Sequence, residues 1–370
     1  MKVGLVLGAG GVIGGAWLTG GLDAVAKQTG WDPATADVIV GTSAGSMIGG
    51  LLSAGIPPWF MVAHSQGESF TNATDAFGRP ASEADRSGGA VFKLDGVPLP
   101  FPGSLSLALR ALLRPTLHSP TAMIAGWLPR GAVSTEPLRR QVRRVVPDGW
   151  TSHPEFWAVA CDYETGRRTP FGREDMPAAD LADAVAASCA IPGFYRPVKI
   201  GGRDYVDGGV YSTSNLDLLA DRGLDLVICL NPTSTLHPPR AINPATWIGR
   251  AFQSASGRLL GSEARRLRDR GTEVLLLQPT AEDLRAMGPN LMSSSRRNLA
   301  ISAGQASITT RLDQPDARSM LIDLPPGDPD MVRRPEGNPD DSPRLGEIGR
   351  RLRARAKSRR DAAQRPTGAG

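Results

Sequence analysis

The sequence has few cysteines and no long apolar run, and each shortage excludes a class of protein. Its three cysteines, Cys161, Cys189 and Cys229, are far apart and form no Cys-x-x-Cys pair, so neither a disulfide framework nor a zinc site is predicted. We therefore expect a protein of the reducing cytoplasm, with no metal. No stretch of 18 apolar residues occurs, so we expect no transmembrane helix.

The positive charge is concentrated at one end of the chain. The formal net charge is +5, but residues 331–370 alone hold 11 Lys and Arg against 5 Asp and Glu. The rest of the chain is therefore close to neutral, and we expect no nucleic-acid partner. Residues 326–370 are predicted to be a basic, disordered tail. Such a tail either keeps the protein in solution or holds it near anionic lipid.

Glycine is abundant, at 43 of 370 residues, and two glycine-rich turns follow short apolar runs. Val3–Leu7 is predicted to be a buried strand, and residues 37–40 a second one; each leads through its turn into a helical pattern. This repeated strand–turn–helix unit predicts an α/β fold with a mostly parallel sheet. Further strands are predicted at 156–162, 226–230 and 274–278, a hairpin at 198–206, and helices at 135–146, 244–270 and 295–311.

The second turn, Gly41-Thr42-Ser43-Ala44-Gly45, has the GxSxG pattern of a nucleophilic serine. It lies between a predicted strand and a predicted helix, where a tight turn would expose the Ser43 hydroxyl at the N-terminus of the helix. A chain this rich in glycine can contain the pattern by chance, and a serine before a helix is commonly only an N-cap. Its position favours Ser43 as a nucleophile.

The first turn, GAGGVIG at residues 8–14, has two functional interpretations. It could bind the pyrophosphate of a dinucleotide, or its backbone N–H groups could form an oxyanion hole. The first requires an acidic residue about 20 positions on, where a second strand ends; Asp32 is near that distance, but no strand ends there. An oxyanion hole beside Ser43 explains both turns together.

A nucleophilic serine needs a base, and the four histidines are poor candidates. His64 and His118 lie in an apparent insertion, while His153 and His237 lie in proline-containing loops; a surface or capping role is expected for each. Asp207 is a better candidate. It follows a predicted strand and precedes Gly208-Gly209, at the strand end where the catalytic side chains of open α/β sheets collect.

In their order and spacing these motifs resemble the patatin-like phospholipase family over about residues 3–232. The resemblance rests on the loop at 8–14, GTSAG at 41–45, the stretch ASCAIPGF at 187–194 and DGG at 207–209. It implies a three-layer α/β/α fold with a mostly parallel central sheet. It also implies a catalytic dyad of Ser43 and Asp207, with Gly10, Gly11 and Val12 of the loop as oxyanion donors and no cofactor. The glycines that support the motifs are Gly8, Gly14, Gly41, Gly45, Gly208 and Gly209.

The sequence departs from the family at four places, the first of which is Ala9 in place of the first glycine of the family loop. Ile13 occupies a position that is often Arg or Lys in the family loop, so a contact with an anionic headgroup there is in doubt. Asn215 follows the DGG motif without the usual proline. Residues 57–130 match no part of the family that we can assign. We treat them as an insertion with weak regular structure and one or two short helices, one of them in the amphipathic segment around Leu105–Leu113.

We predict one catalytic domain at residues 1–325, with the insertion 57–130 as a lid. Its segment 97–113 either contacts lipid or packs as an ordinary amphipathic helix. The expected function is lipid acyl hydrolysis of the phospholipase A, lysophospholipase or esterase type, through an acyl-enzyme. Two alternatives stay open: a nucleotide-binding protein that uses the loop 8–14, and a non-catalytic lipid-binding protein. The partner is a lipid or acyl-ester substrate, with peripheral membrane contact through 97–113 or the basic tail.

Overall fold

A computed structural model of the chain describes residues 1–81, 92–96, 101–113, 120–235 and 244–337, and single positions at 347, 350 and 354. The strands are β1 (Val3–Leu7), β2 (Val38–Thr42), β3 (Phe70–Thr74), β4 (Pro80–Ala81), β5 (Phe156–Asp162), β6 (Arg168–Phe171), β7 (Val198–Ile200), β8 (Arg203–Asp207), β9 (Leu226–Leu230) and β10 (Glu273–Leu277). The helices are α1 (Gly11–Thr29), α2 (Ala44–Ser53), α3 (Pro58–Gln66), α4 (Leu105–Leu113), α5 (Pro120–Ala125), α6 (Glu136–Val145), α7 (Leu181–Ser188), α8 (Pro244–Arg268), α9 (Ala281–Met287), α10 (Arg297–Leu312), α11 (Pro315–Leu321) and α12 (Pro329–Val332).

The central sheet has eight strands, and its core is parallel. Its order is β10-β9-β1-β2-β5-β8-β7, with β6 also paired to β5. The five strands from β10 to β5 run parallel, whereas β6, β7 and β8 are antiparallel to their neighbours. The carboxyl ends of β1 and β2 therefore lie side by side at one edge of the sheet, which is where ligands bind in open α/β folds.

Both faces of the sheet are covered by helices, as the apolar strands require. Every residue of β1, β2, β5 and β9 is buried. One face packs with α1, α2, α7 and α10 in the larger apolar core. The other face packs with α8 and a short 3-10 helix at Leu216–Leu219. The mostly parallel, three-layer α/β/α arrangement expected from the sequence is confirmed.

The strand and helix predictions hold closely, but the insertion has more regular structure than expected. It contains α3, the two-stranded β3–β4 ribbon, α4 and α5. The indole N–H of Trp59 in α3 donates to the Asp330 carbonyl at 2.9 Å. The helix predicted around Leu105–Leu113 is α4; residues 97–100 of the predicted patch lie outside the described residues.

The first part of the predicted tail packs on the domain. The N–H of Gly327 donates to the Gly30 carbonyl at 2.8 Å, and Arg334 pairs with Glu68 at 2.7 Å. The domain thus continues past the expected boundary at residue 325, because α12 covers α1 and α3. Most of residues 338–370 lies outside the part of the chain that the structure describes. Within the described ranges, no helix combines the length and apolar character needed to span a bilayer.

Candidate active site

The carboxyl end of β2 turns sharply into α2 at Ser43. Ser43 has φ +52° and ψ −118°, and only one other non-glycine residue in the described ranges has a positive φ. Such a conformation costs about 1–3 kcal/mol and persists only where the surroundings impose it. The turn leaves Ser43 on the wall of a cavity, as a nucleophile at the start of a helix requires.

Gly41 and Gly45 make this turn possible because neither position has room for a side chain. A Cβ atom at Gly41 would lie 2.5 Å from the carbonyl oxygen of Gly45, and one at Gly45 would overlap the carbonyl oxygen of Leu7. The first turn of α2 therefore packs directly against the backbone of β1. The spacing of the two glycines around Ser43 follows from this contact.

Buried hydrogen bonds hold the Ser43 turn in place. The Ser43 N–H donates to Ser188 Oγ at 2.9 Å, and the Ser188 hydroxyl donates to the Val159 carbonyl at 2.6 Å. The Ser46 hydroxyl donates to the Ser43 carbonyl at 2.7 Å. The turn is thereby fixed to α7 and β5, and its backbone polar groups are satisfied away from water.

Asp207 is the last residue of β8, and its carboxylate reaches the serine. Its Oδ1 accepts from the N–H of Gly209 at 2.7 Å, and the Ser43 hydroxyl is close enough to lower its pKa as a hydrogen-bond donor would. The N–H of Asp207 donates to the Ala190 carbonyl at 3.0 Å, which ties the end of β8 to the segment after α7. The fold thus brings together two residues that are far apart in the sequence.

Burial changes the acidity of this carboxylate. Asp207 is only 5% exposed. Burial raises the pKa of Asp207 to about 6, although the hydrogen bonds from Ser43 and Gly209 lower it. Asp207 is therefore still mostly ionised at pH 7, but it is a stronger base than an exposed aspartate. A pKa near the working pH suits a group that accepts and returns a proton.

Cys189 lies beside the same serine. Its thiol lies 3.9 Å from the hydroxyl oxygen of Ser46 and lines the same cavity as Ser43. Burial raises the pKa of Cys189 to about 12, and the charge of Asp207 also raises it. The thiol is therefore neutral at physiological pH and adds no negative charge to the site.

The loop at residues 8–14 keeps three backbone N–H groups available. Four other N–H groups of the loop donate to carbonyl oxygens at 2.7–3.0 Å: Gly8 to Leu230, Ala9 to Thr213, Ile13 to Leu291 and Gly14 to Gly10. Those of Gly10, Gly11 and Val12 have no acceptor among the residues that the structure describes. Gly11 and Val12 line the same cavity as Ser43. The three open N–H groups belong to the residues that the sequence predicts as oxyanion donors.

Close packing explains why glycine occupies the other predicted motif positions. Gly11 has φ +62°, and a Cβ atom there would lie 2.8 Å from the Leu291 carbonyl oxygen. A Cβ atom at Gly208 would overlap the carbonyl oxygen of Val159, and one at Gly209 would lie 3.0 Å from Asp207 Oδ1 and 3.6 Å from the Cβ of Ala9. The Asp207 turn and the loop 8–14 are therefore direct neighbours.

A buried polar network supports the site from the other face of the sheet. Asn215, the second non-glycine residue with a positive φ, donates from Nδ2 to Thr42 Oγ1 at 3.0 Å. The carboxylate of Glu263 accepts from the Ser214 hydroxyl at 2.5 Å and from the Leu216 N–H at 3.2 Å. The segment after DGG is thereby anchored beside Ser43. The sequence analysis singled out Asn215 but missed Glu263, which lies in an ordinary helical pattern.

A cavity of about 270 Å³ extends from Ser43 along α2. Its apolar wall includes Met47, Ile48, Leu51, Ile56, Phe60 and Ile191. Leu51 is about 12 Å from Ser43 along the helix, at 1.5 Å per residue. The cavity can therefore hold a linear apolar group whose end lies at the serine.

The cavity also has a basic side chain that the sequence analysis missed. Ile13 is fully buried and apolar, so it brings no charge to the cavity. Arg297, the first residue of α10, lines the cavity together with Gly11 and Met292. Burial lowers the pKa of the Arg297 guanidinium, but an arginine stays charged at any physiological pH. No motif marks Arg297, because it comes from a segment far from the loop.

The histidines have roles that differ from one to the next. His64 lies in α3, where it stacks on Phe60 with ring centroids 5.9 Å apart and lines the cavity; a surface or capping role was expected. His153 contacts the Ala36 carbonyl at 2.7 Å and accepts from the Glu155 N–H at 3.2 Å, so it braces a loop. His118 and His237 lie outside the described residues.

Comparisons with known proteins agree with this geometry. A family model of patatin-like phospholipases matches residues 5–220, more than half of the chain. Uncharacterised NTE family proteins of Mycobacterium bovis and of two Mycobacterium tuberculosis strains are each 33% identical over 171 residues. The alignments cover 45% of this chain and 44% of each relative, so the chain matches less than half the length of these curated relatives.

The matched range contains the loop 8–14, the Ser43 turn and Asp207. The chain belongs to the patatin-like phospholipase family.

Proposed function

We propose that the protein is a serine acyl hydrolase that cleaves carboxylic esters of lipids, with Ser43 as nucleophile and Asp207 as base. The observation that carries the proposal is the position of the buried Asp207 carboxylate beside the Ser43 hydroxyl, which lowers its pKa as a hydrogen-bond donor would. Ser43 lies on a strained strand-to-helix turn beside unused N–H groups. Nucleophile, base and oxyanion donors are the three parts that acyl transfer requires.

The first half-reaction forms an acyl-enzyme. Asp207 takes the hydroxyl proton while Ser43 Oγ attacks the ester carbonyl carbon. The carbonyl oxygen becomes negative, and the N–H groups of Gly10, Gly11 and Val12 stabilise it. When the tetrahedral intermediate collapses, the ester C–O bond breaks and the leaving alcohol takes the proton from Asp207. Loss of one oxyanion donor typically costs about 3–4 kcal/mol of transition-state stabilisation, so the loop contributes strongly to the rate.

The second half-reaction regenerates the serine. Asp207 takes a proton from a water molecule, the resulting hydroxide attacks the acyl carbon, and the same N–H groups stabilise the new oxyanion. Collapse breaks the bond to Ser43 Oγ, which recovers its proton from Asp207. A fatty acid leaves, and the base is ionised again at neutral pH because its pKa is near 6.

The cavity supports a fatty acyl chain as the acid part of the ester. Its wall along α2 is apolar and begins at Ser43, so the chain lies along Met47, Ile48 and Leu51. Arg297 lines another part of the cavity and supplies a positive charge for an anionic alcohol part, such as a phosphate ester. This charge replaces the one that the loop lacks at Ile13.

The nucleotide-binding alternative has less support. A dinucleotide site needs an acidic side chain at the end of the second strand, but β2 ends at Thr42 and continues into the Ser43 turn. Asp32 instead caps a short 3-10 helix, where it accepts from the Ala34 N–H at 3.0 Å. Tight binding of NAD(H), measured by calorimetry, would instead favour this alternative.

Three free thiols are what a protein of the reducing cytoplasm would have. Cys161, Cys189 and Cys229 are all buried, and none is in a disulfide. We therefore propose a reducing compartment for the enzyme.

The function is tested by hydrolysis of p-nitrophenyl esters and phospholipids. Ser43→Ala and Asp207→Asn should each lower kcat/KM by roughly 10³-fold or more. Ser319 and Asp221 are exposed, so Ser319→Ala and Asp221→Asn are the matched controls. Each should leave kcat/KM unchanged. A fluorophosphonate probe should label wild type but not Ser43→Ala. Full hydrolysis by Ser43→Ala would refute the nucleophile, and absence of labelling in the folded wild type would favour a non-catalytic lipid-binding protein.

A further inference from the structure

The insertion has an unusual concentration of exposed apolar side chains. Fourteen large hydrophobic residues of the described ranges are exposed, and ten of them lie within residues 92–128. Leu105, Leu109 and Leu112 form a stripe along one side of α4, while Leu107, Ala108 and Ala111 on its other side are buried. A soluble domain rarely exposes such a continuous patch without a partner.

The helices that bear this patch are held firmly on the domain. The Thr121 hydroxyl donates to the Val210 carbonyl at 2.6 Å, and the Tyr163 hydroxyl donates to the Ala125 carbonyl at 3.2 Å. Leu107 packs in the same apolar cluster as Val210. The inner sides of α4 and α5 therefore lie on the segment directly after Asp207-Gly208-Gly209, and their outer sides form the exposed surface.

This surface continues to the wall of the cavity. The Phe92 ring packs edge-on against Phe194, with ring centroids 5.3 Å apart, and Phe194 packs edge-on against Tyr195 at 4.8 Å. Tyr195 lines the cavity that contains Ser43. Leu128, next to Trp127, packs beside Gly193, so an occupant of the surface would lie close to this part of the cavity wall.

The charges of the segment suit an anionic lipid surface. Residues 92–130 contain four Lys and Arg and one acidic residue, Asp95; Arg130 pairs with Asp204, and Asp95 pairs with Arg196. Exposed Lys93 and Arg110 belong to the same segment as the leucine stripe. In a twofold dimer through this face the like charges would come close together. An apolar patch with Trp127 and Phe101 and with basic side chains at its side is typical of a segment that lies in a membrane interface.

We propose that the outer side of α4 and α5, which we name the docking face (Phe101, Leu105, Leu109, Leu112, Ile124 and Trp127), inserts into the interface of anionic phospholipid membranes. Because α4 and α5 pack on Val210, directly after the Asp207 turn, insertion would hold the Ser43 site close to the lipid that supplies the acyl chain. The docking does not depend on hydrolysis and can be measured on a protein that lacks the serine.

The first test is co-sedimentation of full-length Ser43→Ala protein with vesicles of phosphatidylcholine, alone or with roughly 30 mol% phosphatidylglycerol. Binding is expected to the mixed vesicles. Adding Leu105→Gln, Leu109→Gln and Leu112→Gln should weaken it about tenfold or more, because the apolar area that leaves water is lost. The matched control is Leu299→Gln with Ile322→Gln, which are 58% and 80% exposed elsewhere on the protein and should bind as the parent does.

A second measurement needs no polar substitution. Brominated acyl chains quench indoles that they contact, so mixed vesicles should quench part of the tryptophan fluorescence, and Trp127→Phe should remove that part. Equal binding by the triple-leucine variant and the parent would overturn the proposal, as would unchanged quenching in Trp127→Phe. A dimer without vesicles that the triple substitution abolishes would also overturn it, because a second copy would then occupy the face. Loss of hydrolysis in every assay would refute the proposed function but not the docking.

Discussion

The base of the proposed dyad depends on the burial of one side chain. Asp207 is ionised only above its pKa of about 6, and only the ionised form can accept the Ser43 proton. The raised value arises mainly from lost solvation, since both hydrogen bonds to the carboxylate lower it. The same burial that strengthens the base therefore limits the pH range in which it works.

We expect kcat/KM on a neutral ester to be constant near pH 8 and to fall below pH 6. It should decrease about tenfold for each further pH unit, because protonation of a single carboxylate removes the base. The measurement is kcat/KM from pH 8 to 4.5, with thermal melting at each pH to establish that the protein stays folded. A profile that stays flat down to pH 5 would contradict Asp207 as the base.

Among the elements, α2 depends on a contact that only glycine permits. Gly45 and Gly261 both lie within helices, where alanine is favoured over glycine by about 1 kcal/mol. A Cβ atom at Gly45 would overlap the Leu7 carbonyl oxygen of β1, whereas one at Gly261 in α8 would meet no atom within 4 Å.

Gly45→Ala should therefore destabilise the protein by about 3 kcal/mol, since α2 must move away from the sheet. Gly261→Ala is the matched substitution and should stabilise it by about 0.5–1 kcal/mol. Denaturant unfolding of the two variants measures the difference. If both substitutions stabilised the protein equally, the close approach of α2 to β1 would be wrong.

The sequence predicts those elements whose signals are local. The strands β1, β5 and β9 have the predicted bounds. Strands of a parallel sheet are buried on both faces, so each is marked in the sequence by a short continuous apolar run between turn residues. β6 was missed because Arg168–Phe171 is polar and short and forms only through pairing with β5. The insertion was underestimated for a related reason: α3 is stabilised by α1 and by the Trp59–Asp330 contact, which no local pattern reveals.

At the scale of the whole molecule, the candidate site combines motif residues with side chains that no motif marks. The serine turn, the loop 8–14 and Asp207 lie in the range that matches the family, residues 5–220. Arg297 and Glu263 come from beyond it, and so do β9 and β10, which complete the sheet beside β1. The Leu291 carbonyl accepts a hydrogen bond from the Ile13 N–H at 3.0 Å. The segment that leads into α10 therefore lies beside the proposed oxyanion donors.

This arrangement predicts which substrates depend on α10. Arg297→Gln should lower kcat/KM on a phospholipid by about tenfold or more, because a charge-assisted contact contributes about 1.5–3 kcal/mol. A neutral p-nitrophenyl ester has no anion to bind, and its kcat/KM should change little. Arg297→Lys should keep part of the phospholipid activity through its charge. The control is Arg296→Gln, since the adjacent Arg296 is exposed and donates to the Arg285 carbonyl at 2.9 Å. An equal loss on both substrates would assign Arg297 a structural role, and no loss on either would exclude it from headgroup binding.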